Sequence, residues 1–141
     1  MINKLYTACL CHDLGKIMVS DAILNKKGRL DRREFDIIKQ HPAASSELVN
    51  RVLKDPEIEC YVLHHHERWD GQGYPEGLMG KDIPVASRII AVADVLDALT
   101  SDRAYRAAMD AKTAFEIIET DSGTAFDPEI VALVRQLIVT A

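Results

Sequence analysis

Residues 84–101 read PVASRIIAVADVLDALTS, and this stretch decides the fold class. Val85, Ile89, Ile90, Val92, Val95, Leu96 and Leu99 do not keep the two-residue alternation of a half-buried strand, and the run is too long for one. Wound as an α-helix they lie on every side, and a helix apolar all round belongs inside a protein. Asp94 shares a face with Ile90, Ala91 and Ala98. A carboxylate shielded there is too costly to leave unpaired. It needs a cation, either a metal ion or the guanidinium of Arg88 or Arg103. Asp97 faces another side and is placed to support a ligand from behind.

Helical signals continue in both directions. In Leu30–Phe35, Asp31 caps a helix, Glu34 reaches back in a capping box, and Leu30 can staple against Phe35. That helix should run to Gln40 or His41, because Pro42 disfavours helical geometry in the residue before it. Pro42 suits the first turn of the next helix, through about Leu53. Ile58, Tyr61, Val62 and His65 fall on one face of another. The glycines and proline of DGQGYPEGLMG, residues 70–80, mark a loop. Gly123 is expected to end one further helix, and Asp127-Pro128 to cap and open the last. No alternating pattern of strand length is present. The expectation is an all-α bundle forming a single domain over residues 1–141.

Composition narrows the function. A chain of 141 residues supports one core, and 48% hydrophobic with 28% charged residues is the balance of a soluble globular protein. The formal net charge of -5 argues against broad, backbone-driven binding of nucleic acid polymers. It still allows a small anion held by local cations. No apolar run nears the ~20 residues that span a bilayer, and MINKLYTACLCHD carries no small-residue cleavage site. The expected compartment is the cytoplasm. Cys9, Cys11 and Cys60 form no disulfide framework. Cys9 and Cys11 sit among Leu5, Ala8, Leu10 and Leu14 and read as small buried hydrophobes.

All five histidines lie in three places, each beside a helix end or a turn signal: His12, His41 and the run His64, His65, His66. Each place alone also reads as a polar helix end. His12-Asp13 offers a ligand and a carboxylate able to bridge. His65-His66 puts two imidazoles side by side after an apolar helical face. His64 faces elsewhere and stays outside the set. His12, Asp13, His41, His65, His66 and Asp94 together supply nitrogen and oxygen donors for two divalent metals. That chemistry suits iron, manganese or zinc better than a cysteine-based structural site.

Four blocks then resemble one family in its own order: HDLGK (12–16), HHERWDGQGYPEGLMG (65–80), RIIAVADVLDALTSDRAYR (88–106) and GTAFDP (123–128). The chain resembles the HD-GYP family of bacterial, metal-dependent cyclic di-GMP phosphodiesterases within the HD superfamily of helical bundles. The resemblance implies the same six metal ligands, with iron or manganese in the site and zinc, nickel or cobalt as alternatives. It implies Asp13 as the bridging carboxylate and Lys16 beside the scissile phosphate. Tyr74, in the Gly73-Tyr74-Pro75 loop, would lie over the substrate, and Arg103 and Arg106 would meet phosphates and guanines. The implied reaction is hydrolysis of cyclic di-GMP to pGpG or GMP by a metal-bridged hydroxide, in bacterial signal transduction.

Two departures from the family pattern are visible. Only eleven residues precede His12, so the expectation is a bundle N-terminally truncated relative to the family, without its additional histidine-bearing helix. Ser45 stands where the family usually has glycine, and Met79 where it has a more polar residue. The first departure implies that Leu5, Ala8 and Leu14 are uncovered, that a second copy or another chain supplies the missing element, and that turnover is weak or absent. It also motivates an alternative: a cyclic di-GMP-binding module, or one docking a signalling protein through the GYP loop.

Overall fold

The computed structural model describes residues 1–102 and 107–139. Among them are eight α-helices: α1 Ile2–Cys11, α2 Asp21–Leu24, α3 Arg32–Ile38, α4 His41–Leu53, α5 Pro56–Leu63, α6 Val85–Thr100, α7 Ala111–Thr120 and α8 Pro128–Val139. Short 3-10 turns occupy Leu14–Met18 and Gly80–Asp82, and no strand occurs among the described residues. The all-α expectation holds.

The chain divides into two compact units. The first comprises residues 1–66 with 74–76, the second 67–73 with 77–141. In the first, α1 packs on α5, and α4 packs on α5 and on the Leu14–Met18 turn. Ala8, Val49, Ile58 and Val62 form its apolar interior, and His41, Ser45 and His65 are buried with them. Lys4 ties α1 to the start of α5 through Asp55, 2.9 Å away. In the second unit, Val92, Phe115, Ile118, Phe126, Ile130 and Val131 form a core among α6, α7 and α8. There Arg88 is fixed to buried Asp127 at 2.5 Å and donates from Nε to the Ile83 carbonyl.

The helix starts follow the sequence signals. Asp31 accepts from the Glu34 amide and Glu34 returns the bond, completing the capping box on α3. Asp55 and Asp127 likewise cap helices opened by Pro56 and Pro128.

Four expectations need correction. First, α3 stops at Ile38 and α4 already begins at His41, so Pro42 sits at its second position, where a missing N–H costs nothing. Second, α5 ends at Leu63, which puts His65 in the following turn instead of on the helix, with His66 beside it. Third, α7 ends at Thr120, and Gly123 (φ 79°) serves the turn beyond, its N–H donating to the Phe126 carbonyl at 2.8 Å. Fourth, α6 is less enclosed than its all-round apolar sequence predicts. Ala86, Ser87, Ile90 and Val92 are buried, whereas Val85 is exposed and Asp94 half-buried.

The first helix carries one more. Ala8 is fully buried, not uncovered, because α1 turns that face onto α5. The outward stripe is instead Ile2, Tyr6 and Leu10, spaced four residues apart, with Leu14 also exposed beyond it. Cys9 and Cys11 are half-buried rather than fully enclosed, and both are free, as is Cys60.

Candidate metal centre

Three helix ends of the first unit each hold a histidine in the same way. The His12 Nδ1 lies 2.6 Å from the Cys9 carbonyl, the His41 Nδ1 2.7 Å from that of Ile38, and the His65 Nδ1 2.6 Å from that of Val62. Cys9, Ile38 and Val62 lie in the last turns of α1, α3 and α5, where carbonyls lack intrahelical partners. A carbonyl only accepts, so each Nδ1 carries the proton and each Nε2 presents a lone pair. The spacing of three residues thus fixes tautomer and ring direction together. This is the support that metal-bound imidazoles require from their surroundings.

The Nε2 atoms converge. His41 Nε2 lies 3.3 Å from His65 Nε2, and 3.3 Å from Asp13 Oδ1. His12 Nε2 lies 3.5 Å from Asp13 Oδ2. Asp13 Oδ1 is buried and has no hydrogen-bond partner. The His66 ring stands 4.1 Å from that of His65 and 4.9 Å from that of His41. Lone pairs gathered this closely repel one another unless a cation lies among them. The donor set therefore fits a metal.

Two triads emerge, His41 with His65 and His66, and His12 with Asp13 and His65, each with its donor atoms within 4.8 Å of one another. They share His65. With Nδ1 committed to Val62, His65 has one lone pair and can serve one ion at a time. Asp13 has two oxygens, each facing a different histidine, which is the requirement for a bridge.

The protonation states agree. Burial pulls the His65 imidazole down from its ordinary 6.5 to about 4, so it is neutral at physiological pH, as a ligand must be. Burial alone would push the Asp13 carboxyl up. The His41 and Lys16 side chains outweigh it, holding Asp13 well below the usual carboxylate range. Burial pushes the Cys9 and Cys60 thiols up, so neither offers a thiolate.

The other predicted residues fall as follows. Lys16 places its ammonium 2.6 Å from Asp13 Oδ2. Tyr74 stacks on His66 with ring centroids 5.0 Å apart at 29°, and Phe35 meets Tyr74 edge-on at 6.4 Å. His64 is engaged elsewhere, with the Cys60 carbonyl and with Glu76 at 3.2 Å. Asp94 belongs to the second unit, on α6, and is not among the residues the first unit brings together. Its competing cation Arg88 is committed to Asp127. Asp97 is exposed and accepts from the Ser101 hydroxyl at 3.3 Å. Arg103 and Arg106 lie outside the described residues.

Sequence reasoning missed three supporting residues. Ser45, fully enclosed on α4, accepts the Gly15 N–H at 2.7 Å. Phe35 flanks Tyr74. Glu67, buried in the second unit, accepts the Gly77 N–H at 3.0 Å and so braces the glycine-rich loop. Gly73 presses on that same loop's start, since a Cβ there would lie 2.3 Å from the Arg68 nitrogen. The glycine spacing of the loop hinted at such close packing, but nothing local announced its partners.

Comparison with known proteins shows the family and the fold. The HD domain family model matches residues 2–130. The chain is 43% identical over 129 residues to the cyclic di-GMP phosphodiesterase response regulator RpfG of Xanthomonas campestris, covering 88% of this chain and 34% of that protein. It is 41% identical over 133 residues to a cyclic di-GMP phosphodiesterase of Thermotoga maritima, covering 92% and 36%. It is also 40% identical over 131 residues to 3'3'-cGAMP-specific phosphodiesterase 3 of Vibrio cholerae, covering 93% and 28%. A crystal structure of a cyclic GMP-AMP specific phosphodiesterase of V. cholerae shares the fold, with TM-score 0.71 at 22% identity over 96% of this chain and 37% of that one. The chain spans about a third of the length of these curated relatives.

Proposed function

Because the chain belongs to the HD domain family and carries the HD-GYP sequence blocks, we propose that it is a metal-dependent phosphodiesterase hydrolysing a cyclic dinucleotide, cyclic di-GMP first, to pGpG or GMP. The observation that carries this reading is the convergence of His12, His41 and His65 Nε2 atoms around Asp13, each ring locked by a backbone carbonyl. His12, Asp13, His41, His65 and His66 would hold two divalent metals, iron or manganese, with Asp94 as the sixth ligand. Zinc, nickel and cobalt are the alternatives. Such ions supply Lewis acidity and a nucleophile at neutral pH.

The chain's own residues do the rest. Asp13, kept ionised by its surroundings, offers one oxygen to each side of the centre. Lys16, beside Asp13, is placed to neutralise charge on the scissile phosphate or to give a proton to the leaving oxygen. Tyr74 backs the His66 ring and would present its other face to a nucleobase. Arg103 and Arg106 would bind phosphates and guanines, supplying the local positive field that a chain of net charge -5 otherwise lacks.

We treat residues 1–141 as one phosphohydrolase domain, since the family match runs through both units. No described helix is long and apolar enough to cross a membrane. We assign the reaction to the cytoplasm of a bacterium, where three free thiols persist. The stripe of Ile2, Tyr6 and Leu10 is assigned to contact with a second chain.

The test is turnover of cyclic di-GMP and of 3'3'-cGAMP by protein loaded with manganese or iron(II). Hydrolysis that disappears in Asp13→Asn supports the assignment. Binding of cyclic di-GMP with no turnover under any metal favours the binding-module reading. Absence of both overturns the assignment.

A further inference from the structure

The Asp13–Lys16 segment carries one bridging carboxylate and one cation, yet it opens a 3-10 turn, a short helix of poorer hydrogen-bond geometry. What holds that turn in register with α4 is therefore decisive. Its first residues carry amide protons that no preceding carbonyl accepts. The Gly15 amide is one of these, and Gly15 is buried, so water cannot serve it. Its acceptor comes from a different helix. The Ser45 hydroxyl, fully enclosed one turn beyond His41 on α4, takes the Gly15 N–H at 2.7 Å.

The approach of the two segments is as close as backbone allows. A Cβ on Gly15 would lie 2.3 Å from the His41 carbonyl oxygen, 2.6 Å from the Ser45 nitrogen and 2.9 Å from the Ala44 Cβ. The turn thus rests directly on the first turn of α4, and the 3.3 Å separation of Asp13 Oδ1 from His41 Nε2 is set across this contact. Packing brings the segments together. A single directional bond, from Gly15 to Ser45, fixes how the turn is rotated there.

We propose that Ser45 is a positioning residue of the metal centre: its hydroxyl caps the HD turn from a neighbouring helix and so holds Asp13 at the spacing from His41 that an ion requires. It touches neither metal nor substrate. The inference rests on the metal reading above, but makes a separate demand. Removing the hydroxyl must damage affinity for metal in protein that remains folded, because the buried amide is left seeking another acceptor and turns the Asp13 carboxylate with it.

The alanine and glycine substitutions divide the outcomes. Ser45→Ala removes the acceptor and leaves a space too small for water. Ser45→Gly also removes the Cβ, and the larger space admits a water able to accept the Gly15 N–H. Manganese(II) binding to the whole chain is measured by calorimetry, alongside thermal unfolding of the metal-free protein. Ser45→Ala is expected to bind manganese about 10–100-fold more weakly, while Ser45→Gly recovers most of that loss even if it unfolds at a lower temperature. A merely structural serine would shift unfolding in both and leave affinity in the folded state unchanged. Wild-type affinity in Ser45→Ala, or equal loss in both variants, overturns the proposal. Should the alanine variant not fold, Ser45→Cys sets a much weaker acceptor at the same place and is held to the same loss. If the unsubstituted chain binds no manganese, it is the metal reading that fails.

Discussion

Protonation of His65 gives the most quantitative consequence of the buried histidine cluster. Its ring is 1% exposed, and burial lowers its pKa from 6.5 to about 4. In the unfolded chain the same ring titrates near its ordinary value. Between these two values the unfolded chain binds more protons than the folded one, so stability rises with pH across this interval. The contribution is fully present above about pH 6.5, declines as pH falls, and is lost near pH 4. At about 1.4 kcal/mol per pKa unit, the interval corresponds to roughly 3 kcal/mol, a sizeable part of a small domain's stability. Asp13 does not confuse the reading, because its carboxyl is held so low that it stays ionised throughout the interval. The assay is urea unfolding of metal-free protein at pH values from 4 to 7.5, with His65→Gln beside the unsubstituted chain. The difference in pH slope between the two isolates His65. Parallel slopes would refute the claim that this ring is held neutral by burial.

Other consequences follow from the same contacts. Gly15→Ala should destabilise the protein by about 2–4 kcal/mol, since its Cβ meets the His41 carbonyl oxygen at 2.3 Å and breaks the bond to Ser45; denaturant midpoints measure this, and a loss under 1 kcal/mol would contradict the packing. Arg103→Ala should weaken calorimetric binding of cyclic di-GMP at least tenfold, about 1.4 kcal/mol, with metal content unchanged. Unaltered affinity would shift the substrate reading towards protein docking through the GYP loop. The exposed stripe of Ile2, Tyr6 and Leu10 predicts self-association at micromolar concentration, and Tyr6→Glu should abolish it. Sedimentation as a monomer across that concentration range would refute the pairing.

The histidine cluster of the first unit was legible because its chemistry is local. A histidine one to three residues beyond the end of a helix can meet its orphan carbonyls, so the grouping of His12, His41 and His65 at helix ends was visible in the sequence, and the structure adds the carbonyl that each ring meets. The capping box of Asp31 and Glu34 was equally local. Enclosure was harder to read. Apolar residues all round α6 suggested complete burial, yet Val85 is exposed, and the periodicity of α1 did not reveal that Ala8 faces α5 while Ile2 and Tyr6 face outward. Periodicity gives the faces of a helix but not which neighbour takes each one. Ser45 shows the limit most sharply. The sequence marks it only as a departure from the family's usual glycine, and its role depends on an amide thirty residues earlier.

Metal content per chain tests the account most directly. Protein purified without chelators and exchanged into metal-free buffer should retain iron or manganese by elemental analysis, more than one ion per chain if both triads fill. The doubly substituted Asp13→Ala, His65→Ala protein should lose it while keeping its helical circular dichroism. Equal metal content in the two proteins would show that the cluster around Asp13 is not a metal centre.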